Sequence, residues 1–548
     1  MKAESLLQHY ERIADAPDAI ARLRRFILDL AVRGKLVPQD ASDEPAKGFK
    51  KPKDQAAPFR LPNNWKWIEI GDQLDLLNGM AFKPTDWAKE GLRIVRIQNL
   101  NNPDAPFNFC HPEMARERSL IDNGSFLISW SGTPGTSFGA FIWDRGQAVL
   151  NQHIFRCDFR TKAFVAAFLR LAINGRLDEM IAKAHGGAGL QHITKGKLEA
   201  LLIPLPPLAE QRRIVAKVDE LMALCDQLEA AREVREATRD RLAAASLARL
   251  NAPDPETFQA DTCFALEALP ALTTRPDQIK ALRQTILNLA VRGKLVPQDA
   301  KDEPASELLK RITKEKARHV KAAAIPDKKE SARDLIKLTE ELPASWSPIA
   351  LGQVCNLVTS GSRGWAEFYS TSGRGFIRAQ NIRFGKLRLD DLAFVNPPSN
   401  SEGSRTQVAK GDLLIVITGA GVTNPALLDH DPGEAYVSQH VGLVRPSDNR
   451  LSKWLLLCLM ADAGGRAELV ERAYGAGKPG LNLENIRSLS IPLPPLAEQH
   501  RIVAKVDALM ALCDRLEASL TATAATRRRL LDALLAEALA QDQKRKAA

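Results

Sequence analysis

Two things are scarce or missing in this 548-residue chain, and each closes off a class of protein. The first is paired cysteine. Its seven cysteines (Cys110, Cys157, Cys225, Cys263, Cys355, Cys458 and Cys513) lie far apart. No C-x-x-C pair occurs, which argues against a zinc ribbon or a thiol redox motif. An odd count without a signal peptide points to a reducing cytoplasm. The second is a long apolar run. None reaches the roughly 18 residues that a membrane span needs. The opening MKAESLLQHYERIADAPDAI is amphipathic and carries acids, unlike a signal sequence. A cytoplasmic protein without a membrane role is expected.

Intact catalytic signatures are also lacking. Asn396-Pro397-Pro398 is similar to the loop in which amino-methyltransferases follow Asn-Pro-Pro with an aromatic that stacks the flipped base. Ser399 stands where that aromatic belongs, and no glycine-rich cofactor loop accompanies it. Gly475-Ala476-Gly477-Lys478 is similar to a phosphate loop, but that motif needs Gly at 472 and Ser or Thr at 479. The chain has Arg472 and Pro479. Pro326-Asp327-Lys328-Lys329 lies in a charged linker with no strand to display a metal site. The nine histidines are scattered, and no metal site is expected. A chain this long without a working motif reads as a binding subunit, not an enzyme.

What is present is charge and repetition. The net charge of +10 favours a polyanionic partner, nucleic acid first and an anionic membrane surface second. Residues 17–46 and 276–305 agree at 23 of 30 positions, at an offset of 259. Residues 203–230 and 491–518 agree at 25 of 28, at an offset of 288. Between these anchors the halves match only faintly. Arg96, Gln98 and Asn99 recur as Arg378, Gln380 and Asn381, and Gln152-His153 as Gln439-His440. Fixed ends around diverged middles suggest one frame carrying two separate readers.

Each half reads alike. Pro17-Asp18 and Pro276-Asp277 supply helix-start chemistry, and Gly34 and Gly293 stop the helix that follows. A rigid Pro-Leu-Pro-Pro stretch at 204–207 and 492–495 precedes a long helix. Ile502, Val506, Leu509, Cys513 and Leu516 step at heptad spacing, as do Ile214, Val218, Leu221, Cys225 and Leu228. The two seams are expected to pack on each other as an intramolecular coiled coil. The middles look α/β, with strand-like runs at Ser125–Ile128 and Leu413–Ile417 and helical runs at Phe164–Leu177 and Leu451–Met460. Residues 251–275 read as a connector, and 306–340 as a solvated, strongly charged run.

The twice-occurring segments Ile203–Asp219 and Ile491–Asp507 closely resemble the conserved-region signature of type I restriction enzyme specificity subunits. Gly34–Ala46 with Gly293–Ala305, and Lys410–Ile415, are similar to that family too. The resemblance covers nearly the whole chain. It implies a mixed α/β fold: two target-recognition domains separated by an antiparallel coiled coil of two long helices. The expected divisions are 1–60, 61–202, 203–250, 251–341, 342–490 and 491–548, with 61–202 and 342–490 the recognition domains. It further implies that each domain reads one half of a split double-stranded DNA site. The helices would set the gap and dock two modification subunits that methylate adenine N6, and restriction subunits would join them. S-adenosylmethionine, ATP and Mg are then expected in those partners and no cofactor in this chain.

Polar residues in the loops after core strands are the expected DNA contacts, because Arg, Gln and Asn suit bidentate readout of base edges. In the first domain these are Arg96, Gln98, Asn99, Ser131, Thr133, Gln152, His153, Lys183, His185, Gln191 and Lys195. In the second they are Arg363, Arg378, Gln380, Asn381, Arg383, Thr418, Thr423, Asn424, Gln439, His440 and Lys478. The Gln-His pair, shared by both domains, is expected to hold phosphate or the fold. Two other readings stand beside this one: a fused modification-and-specificity enzyme, and a helical scaffold that never touches DNA.

Overall fold

A computed structural model describes residues 15–45, 57–133, 137–182, 185–187, 190–251, 254, 256–323, 342–361, 363–397, 403–473 and 480–544. The chain divides into two compact units, Met1–Glu236 with Ala524–Ala548, and Ala237–Thr523. Each unit contains one α/β domain, one short helix and one half of each long helix.

The short helices are Ala19–Val32 and Pro276–Val291. Gly34 and Gly293 end them at φ +67 and +68, the left-handed region that glycine enters freely. Both glycines also lack room for a side chain. A Cβ would lie 2.5 Å from Pro62 at the first and 2.6 Å from Pro343 at the second. The matching Pro-Asp dipeptides act differently. Asp277 lies inside its helix, whereas Asp18 precedes its helix at φ +58.

The long helices are Leu208–Asn251 and Leu496–Lys544, about 66 and 74 Å at 1.5 Å per residue. The first unit takes the start of one and the end of the other, and the second unit takes the remainder.

Each seam packs on the short helix of its own unit. Ile214, Val218 and Cys225 are buried in one core with Ile27 and Ala31, and Leu221 packs against it. Ile502, Val506 and Cys513 share another core with Ile279, Ile286 and Ala290, joined by Leu509 and Leu516. Leu228 is exposed. The physical reason is that each short helix offers its own apolar stripe, so the heptad positions become bundle core. Beyond Leu228 the stripe is replaced by Arg232, Arg235 and Arg239. These donate to the Ala16 carbonyl, the Asp15 carboxylate and the Ala271 carbonyl.

Polar clamps repeat along with the helices. Glu210 is fully buried and accepts the Trp65 indole N–H at 2.9 Å and the Gln39 amide at 2.5 Å. Glu498 accepts Trp346 at 3.0 Å and Gln298 at 2.6 Å. Burial pushes both carboxyls above their ordinary range, and the indole and amide donors oppose that rise. Arg213 pairs with Asp43, and Arg501 with Asp302. Arg24 grips Asp226 and Glu229 as Arg283 grips Asp514 and Glu517.

Both domains follow one plan. In the first, β1 (Lys66–Glu69) pairs with β13 (Leu202–Leu205), so the proline-bearing stretch is extended and in a sheet. A four-stranded antiparallel sheet runs β2 (Leu74–Asn78), β10 (Ile154–Phe159), β6 (Phe126–Ser129), β8 (Gly139–Ile142). A mixed sheet runs β4 (Asn108–Cys110), β3 (Leu92–Val95), β9 (Ala148–Leu150), β5 (Leu120–Ile121), with β3 parallel to β9. A small sheet runs β11 (His185–Gly187), β12 (Leu190–His192), β7 (Ser131–Gly132).

The second domain repeats this. β14 (Ser347–Ala350) pairs with β25 (Ser490–Leu493). The antiparallel sheet is β15 (Cys355–Ser360), β24 (Val441–Pro446), β21 (Leu413–Val416), β22 (Pro425–Leu427). The mixed sheet is β16 (Tyr369–Ser370), β20 (Ala393–Val395), β17 (Arg374–Ile377), β23 (Ala435–Val437), with β17 parallel to β23. A hairpin of β18 (Ile382–Arg383) and β19 (Lys386–Leu387) belongs to this domain.

Two linking segments are more ordered than expected. The connector holds a helix, Phe258–Leu272. Pro253 and Pro255 precede its start, and Pro270 falls in its last turn, where it removes one helical N–H donor only near the end of the helix. The charged run holds the helix Ala305–Ala323, whose Ala305, Leu308 and Ile312 are buried in the second unit's core. Residues 324–341 lie outside the described residues.

Candidate nucleic-acid interface

Strand ends bring the expected residues together in each domain. In the first, the turn Asn151–His153 links β9 to β10. The Asn151 N–H donates to the Val95 carbonyl at the end of β3 (3.0 Å), and the Trp130 N–H to the His153 carbonyl (3.3 Å). The Ile193 N–H donates to the Trp130 carbonyl (3.0 Å), and the Gly79 N–H to the Ile154 carbonyl (3.1 Å). The second domain reproduces this knot. Ser438 donates to Ile377 (2.9 Å), Ile417 to His440 (2.9 Å), Leu481 to Ile417 (2.8 Å) and Gly361 to Val441 (3.3 Å). Five chain segments distant in sequence thus converge at one end of each domain.

Glycine makes the closest approach possible. A Cβ at Gly79 would lie 2.2 Å from the Asn151 carbonyl oxygen, and at Gly361 2.0 Å from that of Val437. The backbones touch there, as they do wherever glycine interrupts a strand end.

The convergence holds Arg96 and Gln98, Ser131 and Thr133, Gln152 and His153, and the backbone of Gln191, which pairs with Gly132. In the second domain it holds Arg378 and Gln380, Thr418 to Asn424, and Gln439 with His440. Gln98, Gln380, Arg383, Arg363 and His440 are exposed. The side chains of His185 and Gln191 and all of Lys183 and Lys478 lie outside the described residues.

Several expected readers prove to be structural. Asn99 is buried, accepts the Arg96 N–H at 3.0 Å, and donates to the Ala105 and Pro106 carbonyls. Asn381 is held alike by the Arg378 N–H and the Arg388 and Asp391 carbonyls. Their amides are spent on loop backbone, so they cannot read a base edge. Ser131 and Thr423 are buried. Thr423 sits at φ +75, and its hydroxyl and carbonyl accept from Arg466. Lys195 is exposed, and its ammonium donates to the Leu76 carbonyl and pairs with Glu199.

The Gln-His pair differs between domains. Gln152 Nε2 lies 3.3 Å from His153 Nε2, while His153 Nδ1 and Gln152 Oε1 are buried without partners. Burial lowers the His153 pKa, so the ring is neutral at physiological pH. The ring lies against Trp130, which in turn stacks on Phe155. In the second domain His440 Nδ1 meets the Thr418 hydroxyl at 2.5 Å. The pair common to both domains is therefore wired differently in each. Trp130 and Arg466 were not foreseen. Neither stands in a sequence pattern that marks it, since each acts through a partner remote in sequence.

The fold and these two surfaces define a duplicated α/β protein, with matched helical frames and divergent loop faces. The chain belongs to the type I restriction modification DNA specificity domain family, whose model matches residues 62–236 and 344–524. It is 28% identical over 564 residues to the EcoAI type I restriction enzyme specificity subunit of Escherichia coli, covering 94% of this chain and 93% of that one. It is 28% identical over 575 residues to the EcoEI specificity subunit of Escherichia coli, covering 95% and 94%. A solved chain from work on complex assembly and conformational transition of the type I R-M system shares the fold. That match has a TM-score of 0.51 at 20% identity, covering 88% of this chain and 99% of that chain. Among the described residues no helix is long and apolar enough to cross a membrane.

Proposed function

We propose that this chain supplies DNA sequence specificity to a type I restriction-modification enzyme. Each α/β domain reads one half of an asymmetric, split site. The long helices fix the gap and dock two modification subunits, and restriction subunits join the larger assembly. The chain itself is non-catalytic and holds no cofactor; S-adenosylmethionine, ATP and Mg act in the partners, in the cytoplasm.

One observation carries this reading: the frames repeat their buried clamps, while the loops they present carry different side chains. Glu210 and Glu498, Arg24 and Arg283, and Arg213 and Arg501 make matching clamps. Such frames offer equivalent seats to two identical partners, as pseudo-twofold symmetry requires. The loop faces carry different side chains, so the two half-sites differ. Phosphate contacts from Lys and Arg would provide affinity, and base-edge contacts specificity.

Methylation-aware long-read sequencing of a host expressing the chain with its modification subunit tests this. A split motif with methylated adenines in both halves is expected, and exchanging residues 61–202 should change one half only. A methylation pattern unchanged on removing the chain would favour the scaffold reading. Binding of S-adenosylmethionine by the isolated chain would favour the fused enzyme.

A further inference from the structure

The second domain carries an element that the described residues of the first do not form, the β18–β19 hairpin. Ile382 and Leu387 face the domain core. Arg383 and Lys386 stand directly opposite each other across the two strands and are exposed. Like charges in that register repel, and neither forms an ion pair with a described residue. Between them lies Phe384, 40% exposed, followed by Gly385 at φ +70. A large apolar side chain thus stands at a hairpin tip, two-fifths exposed and flanked by two cations with no ion pair to a described residue.

The tip is nonetheless held in place. The Gly385 N–H donates to the Pro425 carbonyl at 2.9 Å, which ties it to the end of loop 418–424. Arg466 lies under the Phe384 ring at 5.1 Å and donates to the Thr423 carbonyl and hydroxyl. Arg466 is presented by a kinked π-helical segment, Asp462–Arg466, broken at Gly464. Burial lowers the Arg466 pKa, so the ring and Thr423 confine a partly desolvated cation. One face of Phe384 is therefore fixed on a guanidinium beside the loop that presents Thr418 and Asn424.

We propose that Phe384 is an apolar wedge that enters the base stack at the edge of the second domain's half-site, with Arg383 and Lys386 holding the phosphates on either side. This rests on the DNA-reading function proposed above. Aromatic wedges between base steps unstack and kink a duplex, and flexible pyrimidine–purine steps yield most readily. The second half-site should therefore include or adjoin such a step. The described residues of the first domain hold no counterpart, since Asn99, which matches Asn381, lies inside the short helical turn Ile97–Asn101, and Asn102-Pro103 follows in place of a hairpin.

The test uses the full chain assembled with its modification subunits, and duplexes built on the motif found by sequencing. 2-Aminopurine is placed at successive positions of the second half-site. The wild-type complex and Phe384→Trp should brighten the probe at one step, while Phe384→Ala should not. Affinity for the duplex should fall about tenfold or more in Phe384→Ala, in line with loss of one aromatic–base contact. Arg383→Ala and Lys386→Ala should each lower the salt slope by about 0.9. The first half-site is the internal control and should be recognised unchanged. Normal affinity and normal brightening in Phe384→Ala overturn the wedge. A wild-type complex with no preference for the motif overturns the DNA-reading function itself, and the wedge with it.

Discussion

Trp346→Phe isolates the buried carboxylate clamp. The indole N–H reaches Glu498 at 3.0 Å, and Glu498 is 1% exposed. Phenylalanine keeps most of the ring against Trp454, which lies edge-on at 5.5 Å, but removes the donor. A hydrogen bond to a buried charged acceptor contributes about 1.5–3 kcal/mol, and a neutral one about 0.5–1.5. The smaller ring adds a packing loss that does not depend on pH. The sign of the pH dependence follows from linkage. Burial raises the Glu498 pKa above its ordinary 4.5, so the folded state takes up a proton before the unfolded one does. The cost of burying the charge is full at neutral pH and is relieved as pH falls through the folded-state value. Losing the indole removes an interaction that lowers this pKa, so the variant's value rises further. Its stability deficit should therefore be largest near neutrality and shrink by about 1 kcal/mol as the carboxyl protonates. Urea unfolding followed by circular dichroism, at neutral pH and at successively lower pH, measures how the deficit changes. An equal or larger deficit in acid would refute the assignment of a charged acceptor. Trp65→Phe, facing Glu210, should give the same pattern.

Other outcomes follow from the loop geometry. Asn381→Ala should destabilise the second domain by about 1–3 kcal/mol, since two carbonyls and one N–H lose their partner. Gln380→Ala, which loses only an exposed hydrogen bond to Asp391, should lower stability by no more than about 0.5 kcal/mol and act chiefly on DNA affinity; a loss as large as that of Asn381→Ala would dissolve the distinction between staple and reader. Gly361→Ala forces the turn after β15 off the Val437 carbonyl. It should weaken recognition of the second half-site alone, read as methylation lost from that half of the motif in favour of related sequences.

The helices were legible because their signals are local. Gly34 and Gly293 announce helix ends by their own backbone freedom, and the long helices by heptad spacing. The partner of each heptad stripe was not legible. Periodicity says that a face is apolar and is silent on which other apolar face covers it, so the short helices were overlooked as the seam's neighbours. The helix Phe258–Leu272 was hidden by proline content, although two of the prolines precede it and the third falls in its last turn. Loop polarity located the site but not the roles within it. Asn99 and Gln98 are adjacent in sequence, yet one amide is consumed by carbonyls six and seven residues on, and the other is free to solvent. Phe384 carried no signal at all until the hairpin placed Arg383 and Lys386 at its sides.

Two nearly identical frames in one chain face a sorting problem, and the exceptions to their identity address it. Positions 240 and 528 correspond through the offset of 288. Asp240 binds Arg275 and Gln278 at the start of one short helix. Arg528 binds Asp18 at the start of the other, and Arg22 of that helix pairs with Asp532. The long helices carry opposite charges at these equivalent positions, but their partners are not equivalent: at the offset of 259, Arg275 corresponds to Ala16 and Asp18 to Asp277, so Asp240 would meet Ala16 and a like charge in the other frame, and Arg528 would meet Arg275 as well as Asp277. Exposed pairs of this kind contribute at most about 1 kcal/mol each, which is small for stability but is a difference between two otherwise equal arrangements. A double-mutant cycle on Asp18 and Arg528 checks it. Arg528→Asp alone should lower stability, and adding Asp18→Arg should recover most of the loss. A cycle with no coupling would mean that the reversal sorts nothing and that apolar packing alone selects the partners.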